Sequence, residues 1–212
     1  MPAVPFYLLL SSVGIYSLFQ FIKARQFIKF IIAVVMIIGL IICLNMPDVQ
    51  KIRENDYGML GDAYFAKGMY DESISQFKKS LAIKPENAMA HYNIGISFSK
   101  KGKPGDAIRH FYEASRIDPK FVAALNNLGL MLCEQSRFSD AIRHFSQALQ
   151  IEPENVNVQN NLGIAYARQG NLKDAAVHFA EAVRLSPRNK AARSNLTRCL
   201  KLLGKANVPF PK

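Results

Sequence analysis

Residues 122–153 read VAALNNLGLMLCEQSRFSDAIRHFSQALQIEP, with Asn127-Leu128-Gly129 near the start and Pro153 at the end. The same marks return one period earlier as Asn93-Ile94-Gly95 with Pro119, and one period later as Asn161-Leu162-Gly163 with Pro187. Pro85, Pro119, Pro153 and Pro187 stand 34 residues apart; so do Phe77, Phe111, Phe145 and Phe179, and so do Gly61, Gly95, Gly129 and Gly163. Three ladders with one period mark a stacked helix–turn–helix unit. The glycines fall where two helices must approach closely, and the Phe ladder is expected to fill the space between one repeat and the next. A single unit cannot bury its apolar face alone, so neighbours stack. The prolines cannot continue a helix and so end the second one of each unit.

Spacing and residue type together resemble the tetratricopeptide repeat (TPR) family, whose pattern has a large residue, Leu-Gly and Tyr on a first helix. Ala, an aromatic, Ala and a closing Pro follow on the second. The second repeat supplies His91, Ile94, Gly95, Phe98, Ala107, Phe111, Ala114 and Pro119. The third supplies Leu125, Leu128, Gly129, Leu132, Ala141, Phe145, Ala148 and Pro153. The fourth supplies Gln159, Leu162, Gly163, Tyr166, Ala175, Phe179, Ala182 and Pro187. The first runs Tyr57, Leu60, Gly61, Tyr64, Ser73, Phe77, Ser80 and Pro85, with serines in place of two alanines. The resemblance implies an all-α superhelix of four repeats (54–87, 88–121, 122–155 and 156–189) and a capping helix over 190–204. Helix pairs are expected near 54–67 and 71–84, 88–101 and 104–118, 122–135 and 138–151, and 156–169 and 172–185. Ser139, Asp140 or Asp174 is expected to cap a second helix by accepting a first-turn N–H. Residues 205–212 read as a loose, Pro-rich tail.

The half of the chain that is apolar is unevenly placed. Residues 5–22 hold no charge, and 27–44 hold only Lys29, near one end. A helix crossing a membrane needs ~20 apolar residues, so 1–45 read as a transmembrane hairpin and 46–53 as a linker. Lys23, Arg25 and Lys29 surround the turn, and basic loops stay cytoplasmic. The repeats are therefore expected outside the cytoplasm, in a periplasm or lumen. The opening Met-Pro-Ala-Val-Pro-Phe-Tyr-Leu-Leu-Leu also resembles the late Leu-Pro-x-x-Pro span of polytopic lipid-phosphate-sugar glycosyltransferases, some of which end in TPR repeats. That resemblance implies an alternative, the C-terminal part of such an enzyme or a remnant of one.

The net charge is +11, and beyond Glu181 there are eight Lys or Arg and no acid. Basic residues do not alternate with aromatics on one face, which argues against nucleic acid. No Gly-rich phosphate loop, Ser-His-Asp order or paired-carboxylate motif occurs, so no catalytic residue and no cofactor are assigned. The three cysteines, Cys43, Cys133 and Cys199, form no metal or disulfide spacing and read as buried thiols. His110, His144 and His178 recur at the repeat period, but equivalent helices sit ~8–10 Å apart, too far to share a zinc ion at ~2 Å per ligand. No metal is assigned.

The inner face carries the functional reading. TPR first helices line a concave groove, and Asn93, Asn127, Asn161 and Asn195 occupy one repeat position on them. This resembles the Asn ladder in the TPR region of the O-linked N-acetylglucosamine transferase family, where such residues hold a peptide backbone. An amide both donates and accepts, so it can bond main chain of any sequence. Tyr92, Asn126 and Asn160 precede it, and Ile96, Leu130 and Ile164 follow three positions on. These ten residues form the expected peptide-binding face; the competing reading has each Asn bracing its neighbouring repeat. The TPR clamp for acidic chaperone tails is disfavoured, because Gly58, Asp62, Ala123 and Asn127 occupy its positions. The chain is thus expected to be a membrane-anchored, non-catalytic scaffold for a protein or peptide partner.

Overall fold

A computed structural model describes Gln20, Lys23, Ala24, residues 35–39 and residues 48–204. The chain divides into two compact units, Met1–Lys51 and Ile52–Lys212, and the second holds the repeats. The described helices are α1 (Asp48–Ala66), α2 (Tyr70–Ile83), α3 (Ala88–Lys100), α4 (Pro104–Ile117), α5 (Val122–Glu134), α6 (Phe138–Ile151), α7 (Val156–Gln169), α8 (Leu172–Leu185) and α9 (Lys190–Leu202). From α2 onward the expected boundaries hold to within a residue or so. Helix α1 instead begins at Asp48, because Gln50 to Asp56 hold no Gly or Pro to stop a run of good helix formers.

Each second helix ends two residues before its proline. Lys84, Asp118 and Glu152 turn to φ −131°, −123° and −125°, and Ser186 to −140°. A residue before proline is pushed out of the helical region in this way. Side-chain capping falls mainly on the first helices, not on the second helices where it was expected. Asn87, Asn155 and Asn189, each two residues after a proline, accept N–H bonds from Ala90, Val158 and Ala192. Among the second helices only Asn171 caps, by accepting from the Asp174 N–H. Ser139 and Asp140 do not cap; Asp140 pairs with Arg137 instead.

The close approach demanded of the glycines is present, each against the Phe of its own repeat, and the same Phe ladder runs through the apolar clusters that continue from one repeat to the next. A Cβ on Gly95 would lie 2.7 Å from Phe111, and one on Gly129 or Gly163 would lie 2.6 Å from Phe145 or Phe179. The small residues of the second helices, Ala107, Ala114, Ala141, Ala148, Ala175 and Ala182, are all buried. Where repeat one has Ser73, Ser97 of the next repeat answers it with a hydroxyl at 3.3 Å and itself donates to the Asn93 carbonyl. First helices also touch one another, α5 against α7 and α7 against α9, and no pair of second helices does so to that extent among the described residues. The stack is therefore tighter along its first-helix side, which is the concave one.

Leu60 marks the beginning of this stack. It is 43 % exposed, whereas its equivalents Ile94, Leu128, Leu162 and Leu196 are 2 % exposed or less, each behind a preceding repeat.

The sequence expectation of a membrane hairpin is corrected. Among the described residues no helix is long and apolar enough to cross a membrane. The longest, α1 at 19 residues, carries exposed Asp56 and Asp62, so it offers no run of ~20 apolar residues. The extracytoplasmic placement of the repeats rested on that hairpin and falls with it. The expected spans 5–22 and 27–44 lie outside the described residues except at Gln20 and 35–39. Residues 2–10, Cys43 and the tail 205–212 also lie outside the described residues.

Candidate functional site

The first helices present the same positions at successive levels of the concave side. Asn93, Asn127, Asn161 and Asn195 are all half-buried, as are Tyr92, Asn126, Asn160, Ile96, Leu130 and Ile164. Half-burial is what a groove wall needs, with one flank against the core and one toward solvent. Ile96 and Leu130 lean on the main apolar cluster, and Ile164 on the cluster at the α9 end.

The asparagines form rungs between repeats. Asn127 Nδ2 donates to Tyr92 Oη at 3.2 Å. Asn161 Nδ2 donates to Asn126 Oδ1, and Asn195 Nδ2 to Asn160 Oδ1, each at 2.9 Å. Asn93 departs from the scheme, because Gly58 stands where the acceptor would be; its Nδ2 reaches Asp62 Oδ1 at 3.2 Å. Each rung links a position to the residue 35 back, one repeat plus one, which a search for identical positions at 34 does not reveal. The bracing role weighed from the sequence is thus present. It uses the amide N–H of each ladder Asn and fixes its rotamer. The Oδ1 atoms of Asn93, Asn161 and Asn195 make no hydrogen bond among the described residues, so they remain free to accept from a ligand in the groove.

The histidine ladder, on the second helices α4, α6 and α8, falls into three separate settings. His110 Nδ1 lies 3.1 Å from His91 Nδ1 and its ring stacks on Phe98. His144 Nδ1 meets Gln147 Oε1 at 3.0 Å, and His178 Nδ1 meets Gln159 Oε1 at 2.9 Å with Tyr166 stacked on its ring. Burial pushes all three below the usual histidine range, His110 to about 4 with a further push from His91. Among the described residues no three His, Cys, Asp or Glu side chains gather as a metal would require. Cys133 and Cys199 are buried free thiols, both pushed up by burial, and Cys199 Sγ donates to the Leu172 carbonyl at 3.1 Å.

The ends of the groove differ in charge. At α1 stands the exposed carboxylate of Asp62, beside a cavity of about 280 Å³ that also takes in Asn93. At the other end a cavity of about 330 Å³ opens between α7, α8 and α9, lined in part by Ile164 and Asn195. Arg168 and Arg198 stand at this second cavity, both exposed, and neither makes an ion pair among the described residues. Sequence reading missed the two arginines because they sit at different positions, one in the fourth repeat and one on the capping helix.

Comparison with known proteins agrees with the repeat fold. A sequence profile described as TPR repeat matches residues 61–102 and 129–170, and one described as tetratricopeptide repeat matches 156–189. The solved structure of MamA protein is similar with TM-score 0.69 and 21 % identity, over 73 % of this chain and 85 % of that one. YrrB, described as a TPR protein with an unusual peptide-binding site, is similar with TM-score 0.62 and 23 % identity, over 66 % and 73 %. The pilF protein of Pseudomonas aeruginosa is similar with TM-score 0.66 and 25 % identity, over 74 % and 71 %. A search of curated proteins gave no match.

Proposed function

We propose that this chain, which carries tetratricopeptide repeats, is a non-catalytic interaction scaffold that holds an extended peptide of a partner protein along its first helices. The observation that carries this reading is the row of rungs. Bonding between repeats fixes the amides of Asn127, Asn161 and Asn195 in one orientation. Groups fixed before binding lose little freedom when a ligand arrives. The unbonded Oδ1 atoms of Asn161 and Asn195 can then accept main-chain N–H groups, while Ile96, Leu130 and Ile164 take alternate apolar side chains beside them. This is main-chain capture with side-chain pockets for specificity, a recurrent way of holding extended peptides. The peptide-binding site ascribed to the structurally similar YrrB is in keeping with it.

The test uses the full chain and a library of short random peptides. Selected binders should lose affinity when Leu130→Gln and Ile164→Gln are introduced, changes that keep a helix-compatible stem and the helical circular dichroism. Binders that survive both changes unaltered would place the site elsewhere.

A further inference from the structure

We infer that the cavity between α7, α8 and α9 receives the C-terminal residue of the bound peptide, so that peptides lie in the groove in one direction, carboxyl end toward α9. The inference rests on the groove reading above and adds an orientation and an end-group to it. Four features carry it.

The first is the cavity itself. At about 330 Å³ it falls at the small end of the ~300–1,000 Å³ range of ligand pockets. Its walls are largely apolar, from Ile164, Leu172, Phe179 and Cys199. Phe179 and Cys199 are buried, which fixes the floor in place. The second is the pair Arg168 and Arg198, one on each side, both exposed and without an ion pair among the described residues. The helix-surface arginines 109, 116, 137, 143 and 184 each pair with an acid one turn away. A guanidinium has five donors and no acceptor, and a carboxylate is its best-matched partner.

The third is Asn195, the last rung, which lines the cavity and keeps its Oδ1 unbonded after giving Nδ2 to Asn160. An apolar slot, a main-chain acceptor and two cations side by side match one chemical unit: an apolar side chain, its own N–H, and a carboxylate on the same residue. An internal Asp or Glu would present its carboxylate from the side chain and leave the slot empty. The fourth is the opposite end, where the exposed Asp62 would repel a carboxylate and attract an amine. Charge thus runs along the groove from acid to base, and only one peptide direction satisfies both ends.

The experiment selects binders to the full chain from a random library displayed with free C-termini. The strongest is then measured as the free acid and as the C-terminal amide, against the native chain, Arg168→Gln/Arg198→Gln and Asn161→Ala. The expected result is an apolar residue enriched at the last position, with the amide binding at least tenfold more weakly than the acid. The arginine variant should weaken the acid by a similar factor and bind acid and amide alike. The asparagine variant should weaken both forms equally and keep the ratio between them. Equal affinity of acid and amide for the native chain overturns the end-group inference, as does enrichment of internal acids. If the asparagine variant still weakens binding in that case, the groove reading stands without it. Loss confined to the arginine variant, with the asparagine variant inert, refutes the groove and keeps the end pocket. A library that yields no binder refutes both.

Discussion

Replacing Gly129 by Ala tests the packing logic most directly, because two effects of known sign oppose each other. In a helix interior Ala is favoured over Gly by ~0.8–1.0 kcal/mol. Against this, the new Cβ would lie 2.6 Å from Phe145 Cε1 and 2.7 Å from Cζ, inside any tolerable contact. Phe145 is 0 % exposed and has no free space to retreat into, so the overlap costs ~1–3 kcal/mol, as overpacking does. Gly58 provides the control. It lies inside α1, and a Cβ there meets nothing within 4 Å. Helix propensity is common to both changes and cancels between them, so Gly129→Ala should fall below Gly58→Ala by ~1–3 kcal/mol. Urea unfolding followed by the helical circular dichroism signal measures both variants. Phe145→Leu introduced into Gly129→Ala should recover part of the loss, giving a coupling between two residues in contact. A Gly129→Ala protein as stable as Gly58→Ala would refute the account of the repeat interior.

Other expectations follow from the caps, rungs and histidines. Asn155→Ala removes the acceptor of the Val158 N–H and should cost ~0.5–2 kcal/mol, read as a lower urea midpoint. Asn161→Ala breaks the 2.9 Å rung to Asn126 and should cost ~0.5–1.5 kcal/mol in the same assay. If its midpoint is unchanged, the rungs do not brace the stack. His110 is held at about 4 in the folded chain, against 6.5 when free. The unfolded chain therefore binds the extra proton between those values, and stability should fall as pH drops from about 6.5 toward 4. His91, His144 and His178 are also lowered and act in the same direction. The lowered carboxyls of Asp71, Asp140 and Glu181 lose their contribution only below the ordinary carboxylate range, so the upper part of the fall belongs to the histidines. His110→Leu should flatten that upper part, and an identical pH profile would contradict the burial argument.

The fold was largely legible because its constraints are local and periodic. A proline two residues after a helix, and a glycine whose partner Phe lies 16 residues on in the same unit, leave their marks in one stretch of chain. What the sequence concealed were relations between unlike positions. The rungs join Asn161 to Asn126 and Asn195 to Asn160, and Asn127 to a tyrosine, so no ladder of identical residues announces them. The helix caps were legible in form, as Pro-x-Asn at 85–87, 153–155 and 187–189, but Ser139 and Asp140 looked like equally good candidates. Arg137 beside Asp140 decides that case, since an ion pair occupies the carboxylate. The end pocket needed both helices of the fourth repeat and the capping helix to assemble, which no single period encodes. The apolar runs that suggested a membrane hairpin lie almost wholly outside the described residues, among which no helix is long and apolar enough to cross a membrane.

The contact of α5 with α7 and of α7 with α9, without a like contact between second helices, gives the stack one stiff edge and one compliant edge. Bending that closes the concave side compresses rungs already in register, and it is resisted at once. Bending that spreads the second helices breaks no hydrogen bond of the ladder and only changes the pitch of the spiral. The groove can therefore change the pitch of its spiral around a guest while the spacing of its amide rungs stays fixed. A solenoid of this kind measures its ligand along the chain more strictly than across it.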